Sequence, residues 1–328
     1  DPLHPMQVRY QAALRPEASK YTSAHATDDR IGALASPLLG RRTLGWAKQT
    51  TRAVLEGFTR NQRLIAVLTG QFGDYGRPPA ESSFLVHAMI ASHYLDGGYY
   101  PVGDSGVFVD AIVPGIQAAG GCLLINAEVA GIVVEDNAAV GVKMKRDGAT
   151  IRAPVVVSDA GVVNTFARLL PQDAARRHGL SQALATVQPS VAHLCLYVGL
   201  RASAQSLRLP RHNIWVYPHE DHERSFAAAG SSPETPLTTR HFCSYGQGEI
   251  YGIEHSPQRF RQRILRPATP IRGLYLTGQD IVTCGVGGAL MAGVLAASSI
   301  LRRNLLAAIR QGAPRGRTGE REAETPVS

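Results

Sequence analysis

The sequence is poor in cysteine. Its four cysteines lie far apart and form no CxxC pair: Cys122, Cys195, Cys243 and Cys284. This spacing argues against a disulfide framework and against a structural zinc site, and it is typical of a protein from a reducing, cytoplasmic compartment. His219 and His222 could contact a metal ion, but no third ligand is evident beside them, so no metal site is predicted.

The sequence also lacks an initiator methionine and a signal peptide, since it begins Asp1-Pro2-Leu3-His4. We therefore expect that the natural start of the polypeptide is not present here. Residues 1–30 are polar and are broken by several prolines, so they are predicted to be irregular.

No large excess of one charge is present. The formal net charge is +8, from 34 Lys and Arg against 26 Asp and Glu, and the basic residues are scattered. A basic face could meet anionic lipid or nucleic acid, but an ordinary solvated surface explains the same residues. Because RNP, zinc-finger and basic-zipper patterns are absent, nucleic acid is excluded as a partner.

Uncharged runs long enough to cross a bilayer are missing, with one exception. Residues 281–301 carry no charge and are followed by Arg302 and Arg303, a length that permits a transmembrane helix. However, glycines crowd the beginning of this run, and the rest is rich in Ala and Ser. We favour a buried helix whose amino terminus meets a ligand, and a membrane anchor remains the alternative.

The residues that are present predict an α/β protein. A chain of 328 residues with 44% hydrophobic residues can form two domains. Apolar spacings of three and four predict helices within 38–68 and 82–93. Another helix is predicted after Gly103, kinked at Pro114, with these residues on its buried face: Val107, Phe108, Ala111, Ile112, Ile116 and Ala119.

Strand patterns follow this helix. A short apolar strand is predicted at 122–125, and a meander at 131–135, 140–145 and 150–152, with an Asp147-Gly148 hairpin signal. The uninterrupted β-branched run 155–157 predicts a fully buried parallel strand. Two more runs are strand-like, at 194–200 and 213–217, whereas 218–235 loses its apolar period and is predicted to be a loop.

The strongest chemical signal is a strand, a turn and a glycine-rich helix at 273–300. Asp280 follows the strand, where a carboxylate can accept hydrogen bonds from ligand hydroxyls. The helix then opens with Gly285, Gly287 and Gly288, so its free N–H groups and its dipole favour a pyrophosphate or an electron-rich ring edge. Close packing of the helix on the strand would explain the same glycines.

The string RGLYLTGQDIVTCGVGGALMAGVLAAS at 272–298 resembles the carboxyl-terminal FAD signature of the phytoene desaturase, carotenoid isomerase and retinol saturase family. SHYLDGGYYPVGDSG at 92–106 is similar to the same family, and so is the hairpin leading into VVVSDAG at 131–161. PLTTRHF at 236–242 and GEIYGIEHSPQRF at 248–260 resemble its retinol saturase branch. The matches follow the family's order and cover most of residues 40–305.

This resemblance implies an FAD-dependent oxidoreductase that moves hydride between flavin and a C–C bond of a lipophilic polyene or isoprenoid. It implies an α/β fold with a glutathione reductase-like FAD-binding domain, whose Rossmann-type sheet is incomplete here, and a mixed α+β substrate domain. The FAD domain would comprise 96–180 and 266–310, and the substrate domain 1–95 and 181–265. Composition predicts that 311–328 is a disordered tail.

The resemblance also implies site residues. Asp280 would hold the ribityl chain of FAD, and Val129 would bind the adenine through its backbone. The other implied cofactor-binding residues are Ser158, Asp159, Gly278, Gly285, Val286, Gly287, Gly288 and Ala289. Those implied on the substrate side of the flavin are Tyr99, Tyr100, Pro101 and Gly103.

No catalytic residue is assigned. His93 and His241 could transfer protons, but a structural role for both histidines is favoured. Tyr245, Tyr251 and His255 could line a substrate tunnel, and packing would also explain them. Peripheral contact with a membrane is compatible with lipophilic substrates. The direction of the redox reaction, the electron acceptor and the oligomeric state are not predicted.

The sequence departs from the family pattern in three places. No strand–GxGxxG–helix unit precedes the matched motifs, Asp104 replaces a glycine, and the segment around 234–236 is shortened. We therefore expect a truncated or internally deleted member of the family. The alternatives are a non-catalytic remnant, a chain completed by a partner, and a flavin amine oxidase.

Overall fold

The protein has a mixed α/β structure with small sheets. The computed structural model describes residues 6–8, 43–95, 97–99, 101–103, 105–193, 196, 198–203, 205–210, 213–229 and 249–312. Several predictions lie outside these residues: those for 1–5, 9–42 and 230–248, for the tail from 313, and for Tyr100, Asp104 and Cys195.

The first helices confirm the predictions that were based on apolar spacings of three and four residues. Residues 43–47 are helical, and they are followed by α1 (Thr51–Glu56), α2 (Gln62–Leu68) and α3 (Phe84–Leu95). The side chain of Asn61 caps α2 by accepting the N–H of Leu64 at 3.1 Å. Between α2 and α3 the chain makes a 3₁₀ turn at Phe72–Asp74.

Helix α4 (Val107–Ala118) forms where it was predicted, but its burial was wrongly predicted. None of its residues is buried, and Phe108, Ile112 and Ile116 are exposed. The strand prediction for 122–125 was also wrong, because this segment is irregular and Ile125 is 80% exposed. Both predictions failed for the same physical reason: the apolar face of a helix or strand is buried only where a second layer of structure packs against it.

The meander is confirmed as an antiparallel sheet. Strands β2 (Val129–Glu135), β3 (Ala138–Met144) and β4 (Thr150–Arg152) pair in the order β2-β3-β4. Asp136 and Asn137 make the first hairpin turn with positive φ angles of 46° and 59°, which is the two-residue turn that matches strand twist.

A second sheet consists of two parallel strands. Strand β5 (Val156–Ser158) pairs with β7 (Leu274–Leu276), which confirms the parallel prediction. The prediction that β5 is fully buried was wrong, because Val157 is 46% exposed. One face of β5 packs on the core, and its other face is left uncovered within the described part of the chain. The third sheet pairs β1 (Met6–Val8) with β6 (Trp215–Tyr217).

The remaining helices surround these sheets. They are a π-helical segment (Asn164–Leu169), α5 (Gln172–Arg177), α6 (Leu180–Leu184), α7 (His222–Ala229), α8 (Gly285–Leu301), α9 (Leu305–Gly312) and a 3₁₀ turn (Arg259–Arg261). Helix α7 corrects the loop prediction for residues 222–229, and the part of that prediction at 230–235 lies outside the described residues. Asp221 accepts the N–H of Arg224 at 2.9 Å at its start, and His222 is buried.

The main hydrophobic core lies against the parallel strands. It comprises Ile132, Ala139, Val156, Val162, Phe166, Leu170, Ala174, Ala175, Leu180, Ile253, Leu265, Ile271, Leu274 and Leu276. A smaller cluster of Tyr75, Val86 and Cys284 packs at the start of α8. The main core therefore packs against β7, and the smaller cluster packs at the beginning of α8.

Helix α8 was the segment for which the sequence left a membrane span open. Across the described residues, no helix, α8 included, combines the length and the apolar character needed to cross a bilayer. Cys122 and Cys284 are free thiols. The division into FAD and substrate domains stays a prediction.

Candidate functional site

The carboxyl ends of β5 and β7 meet at one edge of the parallel sheet. Ser158 ends β5 and Asp159 follows it, while Gly278 and Asp280 follow β7. Ligands of open parallel sheets bind outside the carboxyl ends of the strands. The structure therefore brings four of the predicted cofactor-binding residues to one place.

Asp280 connects three parts of the chain at this edge. Its Oδ2 accepts the N–H of Val162 at 2.8 Å, and its Oδ1 accepts the N–H of Ile253 at 3.1 Å. The side chain is 2% exposed. Gly252 makes this approach possible, because a Cβ at residue 252 would lie 2.3 Å from Asp280 Oδ1. Asp280 thus holds the backbone around the edge through both carboxylate oxygens.

Two carboxyl groups at the edge have raised pKa values. Burial raises the pKa of Asp280 to about 6, against the lowering effect of its two backbone hydrogen bonds, and the charge of Asp159 adds a smaller increase. Desolvation likewise raises the pKa of Asp159. Gly278 has a φ of +86°, and a Cβ there would lie 1.7 Å from Asp159 Oδ1. The edge therefore packs two acids closely and disfavours their charged forms.

The start of α8 is open. A Cβ at Gly285 or at Gly287 would meet no atom within 4 Å. The residue before the helix, Cys284, makes no side-chain cap hydrogen bond. By contrast, Gly288 faces inward, where a Cβ would lie 2.0 Å from the carbonyl oxygen of Thr283. Val286 is exposed and Ala289 is half-buried. The first turn of α8 can therefore be approached closely by a ligand at its N–H groups.

Two buried basic side chains fix the segment that leads into α8. His255 Nε2 accepts the N–H of Cys284 at 3.0 Å, and burial holds the pKa of His255 well below its usual value, so the ring is neutral. Arg259 donates to the carbonyl oxygens of Ile253 at 2.8 Å and Gln279 at 2.6 Å. The sequence offered no signal for Arg259, and it suggested a tunnel rather than a structural contact for His255.

The other predicted site residues lie elsewhere. Val129 opens β2 and pairs with Met144 in the antiparallel sheet. Tyr99 is 79% exposed, Pro101 is half-buried, and Gly103 has a φ of +98°. Their approach to a flavin stays a prediction.

The histidine pair at 219 and 222 does not face a common point. His222 Nε2 donates to the carbonyl oxygen of Ala66 at 2.8 Å, whereas His219 Nδ1 accepts the N–H of Asp221 at 3.2 Å. A cavity of about 210 Å³ lies beside His222, between α1 and α2, and is lined in part by Arg52 and Thr69. This cavity is separate from the edge of the parallel sheet.

The chain has relatives among known proteins. No family model matches it. It is 29% identical over 356 residues to an all-trans-retinol 13,14-reductase of Danio rerio, covering 79% of this chain and 59% of that protein. It is 33% identical over 147 residues to a lycopene-forming phytoene desaturase of Pseudescherichia vulneris, covering 44% of this chain and 28% of that protein. A solved oxidoreductase from Methanosarcina mazei has 19% identity and a TM-score of 0.46, covering 78% of this chain and 68% of that one.

These relatives confirm the resemblance seen in the sequence motifs. The chain spans 59% of the length of the Danio rerio reductase. Moreover, the matched region of 356 positions is longer than the whole chain of 328 residues, so that relative has internal segments which this chain lacks.

Proposed function

We propose that this chain, as a relative of the retinol saturase and phytoene desaturase group, binds FAD where β5, β7 and α8 meet. We propose further that it acts on a C–C single or double bond of a lipophilic polyene or isoprenoid. The observation that carries the proposal is the open, glycine-lined start of α8 beside an edge that carries two carboxyl groups. The named activities of the relatives, a retinol reductase and a lycopene-forming desaturase, agree with a polyene substrate.

The residues present fit a dinucleotide cofactor in part. Residues Gly285 to Ala289 would lie under the pyrophosphate and the pyrimidine edge of the flavin, and the N–H groups of Gly285, Val286 and Gly287, which have no acceptor within the helix, would face the cofactor. Asp159 is less enclosed than Asp280, so its carboxyl group could accept a hydrogen bond from a hydroxyl of the cofactor. Asp280 is enclosed, so in our proposal it supports the site chiefly by holding the backbone at Val162 and Ile253.

When bound, FAD supplies the hydride chemistry, and the protein supplies position and an apolar surrounding. His255 and Arg259 hold the turn before α8, so the N–H groups of the helix start are oriented before the cofactor arrives. Exposed apolar side chains such as Val286 and Leu290 lie on the first turns of α8. An uncharged polyene suits such a surface better than a charged substrate does.

A second candidate is a chain that needs a partner to complete its cofactor site. The uncovered face of β5 at Val157 and the unburied helix α4 favour it, because both expose apolar residues that a further layer would cover. In this case FAD would be retained only in the complex.

Two glycines of α8 allow a matched test. Gly287 and Gly293 both face open space, so alanine at either position should leave the fold intact and add up to about 1 kcal/mol of helix stability. Only Gly287 lies at the proposed cofactor surface. We expect G287A to raise the FAD dissociation constant about tenfold or more, a loss of about 1.4 kcal/mol, and G293A to leave it unchanged.

The measurement is a fluorescence-quenching titration of FAD with the wild-type chain and both variants. Equal weakening by the two substitutions would locate the cofactor away from the start of α8 and reject the proposal.

A further inference from the structure

The cavity beside His222 lies apart from the proposed cofactor site. Its volume is about 210 Å³, and it is enclosed by α1, α2 and the residues that begin α7. In liquid water one molecule occupies about 30 Å³, so a cavity of this size has room for a ligand of about seven non-hydrogen atoms. It therefore suits a small metabolite and excludes a dinucleotide.

Two residues that line the cavity carry buried polar atoms without a partner. His222 is 1% exposed, and its Nε2 donates to the carbonyl oxygen of Ala66 at 2.8 Å. Burial lowers the pKa of His222, so the ring is neutral and its Nδ1 is an acceptor. This Nδ1 has no hydrogen-bond partner among the described residues, and the same holds for Nε of Arg52, which is a donor.

These two atoms indicate a polar ligand. Buried polar atoms of native proteins are nearly all hydrogen-bonded to protein, to ordered water or to a ligand. A hydroxyl group satisfies both atoms, because it donates to Nδ1 of His222 and accepts from Nε of Arg52. An anion is disfavoured, because Arg52 is already paired with Glu223, whose second oxygen accepts the N–H of Ala80 at 2.8 Å.

The exposed side of the cavity is acidic. Glu220 and Asp221 line it, and both are exposed. The N–H of Arg224 lowers the pKa of Asp221, so this carboxyl group is charged at neutral pH. Glu220 pairs with Arg63 at 3.6 Å, but both side chains are largely exposed, and ion pairs of this kind are weak. The two carboxylates therefore attract a cation.

We propose that this cavity binds a small amino alcohol, an organic cation that also carries hydroxyl groups. Its ammonium group lies between Glu220 and Asp221. A hydroxyl group bonds to His222 Nδ1 and Arg52 Nε, which reach the ligand by a shift of their side chains, since both atoms are buried. The carbon skeleton packs on Ile65. This ligand takes no part in the redox chemistry proposed above, because the cavity is separate from the edge of the parallel sheet.

Three compounds with the same three-carbon skeleton test the chemistry of the site. At neutral pH serinol is a cation, glycerol is uncharged and glycerate is an anion. Each is titrated into the purified chain, and binding is followed by saturation-transfer difference NMR. We expect serinol to bind about tenfold more tightly than glycerol, since its charge lies close to two carboxylates, and glycerate not to bind.

A charge-removing variant tests the acidic side. Asp221→Asn keeps the start of α7, because asparagine also accepts the N–H of Arg224. We expect it to weaken serinol binding about fivefold or more and to leave glycerol binding unchanged. The matched control is Asp173→Asn on the exposed surface of α5, which should bind serinol as the wild type does.

The nitrogen-15 signal of His222 Nδ1 tests the hydroxyl contact. It is assigned with the variant His222→Asn, which the titrations above do not require. We expect saturating serinol to move this signal upfield in the wild-type chain, because Nδ1 then accepts a hydrogen bond.

Four results would overturn the proposal. They are no binding of serinol by the folded wild-type chain, equal affinities for serinol and glycerol, unchanged serinol binding in Asp221→Asn, and an Nδ1 signal that serinol does not move. None of these results depends on FAD, so the proposed function is tested separately.

Discussion

Single buried polar side chains connect distant parts of this chain. The carboxylate of Asp280 accepts N–H groups from Val162 and Ile253, which are 118 and 27 residues away in sequence. Arg259 also connects two segments, because its guanidinium group donates hydrogen bonds to the carbonyl oxygens of Ile253 and Gln279. The candidate site therefore depends on a few side chains whose loss leaves buried groups unpaired.

Removing the Asp280 carboxylate should destabilise the fold. Asp280→Ala leaves two buried N–H groups without an acceptor, and each costs about 1–3 kcal/mol. We expect the free energy of unfolding in urea to fall by about 2 kcal/mol or more. The control Asp173→Ala removes an exposed i,i+4 ion pair with Arg177 and should change stability by at most about 0.5 kcal/mol. Equal stabilities of the two variants would contradict this assignment.

Asp280 should also make stability depend on pH. Its pKa is about 6 in the folded chain and about 3.9 in an unfolded one, so folding favours the protonated form. The stabilising contribution is complete below about pH 4 and is lost as the pH rises through about 6. Asp280→Asn should remove this component. Unfolding free energies measured at several pH values from 4 to 8 would check it, and a constant difference between variant and wild type would count against it.

The elements differ in how well they are anchored. Helix α8 buries Gly288, Ala292 and Ala296 along one side, whereas α4 buries no residue. Local opening costs little free energy where few apolar contacts are lost. We expect amide hydrogens of α4 to exchange at least about tenfold faster than those in the second half of α8. Hydrogen exchange with mass spectrometry would measure this, and equal protection would show that α4 is covered in solution.

Elements with a strong local pattern could be predicted from the sequence. The hairpin signals gave the meander, and the strand–turn–helix pattern gave β7 and α8 together with Asp280 and the open glycines. Burial could not be predicted for α4 and β5, because it depends on a second layer rather than on their own residues. Nor could α7, since the burial of His222 depends on a carbonyl group at Ala66, 156 residues away.

The residues of the candidate site also divide into those that a local sequence pattern predicts and those that only folding brings together. Gly285 and Gly287 were predicted from the local pattern, and the structure shows that both positions are open. Contacts made by folding could not be predicted, because nothing in the local sequence indicates that Gly252 lies against Asp280 or that His255 accepts the N–H of Cys284.

At the scale of the whole molecule, the candidate site lies on a well-packed core. The core lies against β5 and β7, and the start of α8 projects beside their carboxyl ends. The uncovered apolar residues of α4 and β5 lie in the same predicted FAD domain. Retention of FAD by this chain alone is therefore the central question.

The most direct measurement is the absorbance spectrum of the purified chain after incubation with FAD and desalting. Our account predicts flavin bands between 350 and 500 nm at about one FAD per chain, because the helix start and the acidic edge suffice to hold it. A spectrum without flavin bands from a folded, monodisperse sample would contradict the account, and it would leave the chain as a relative that does not bind FAD alone.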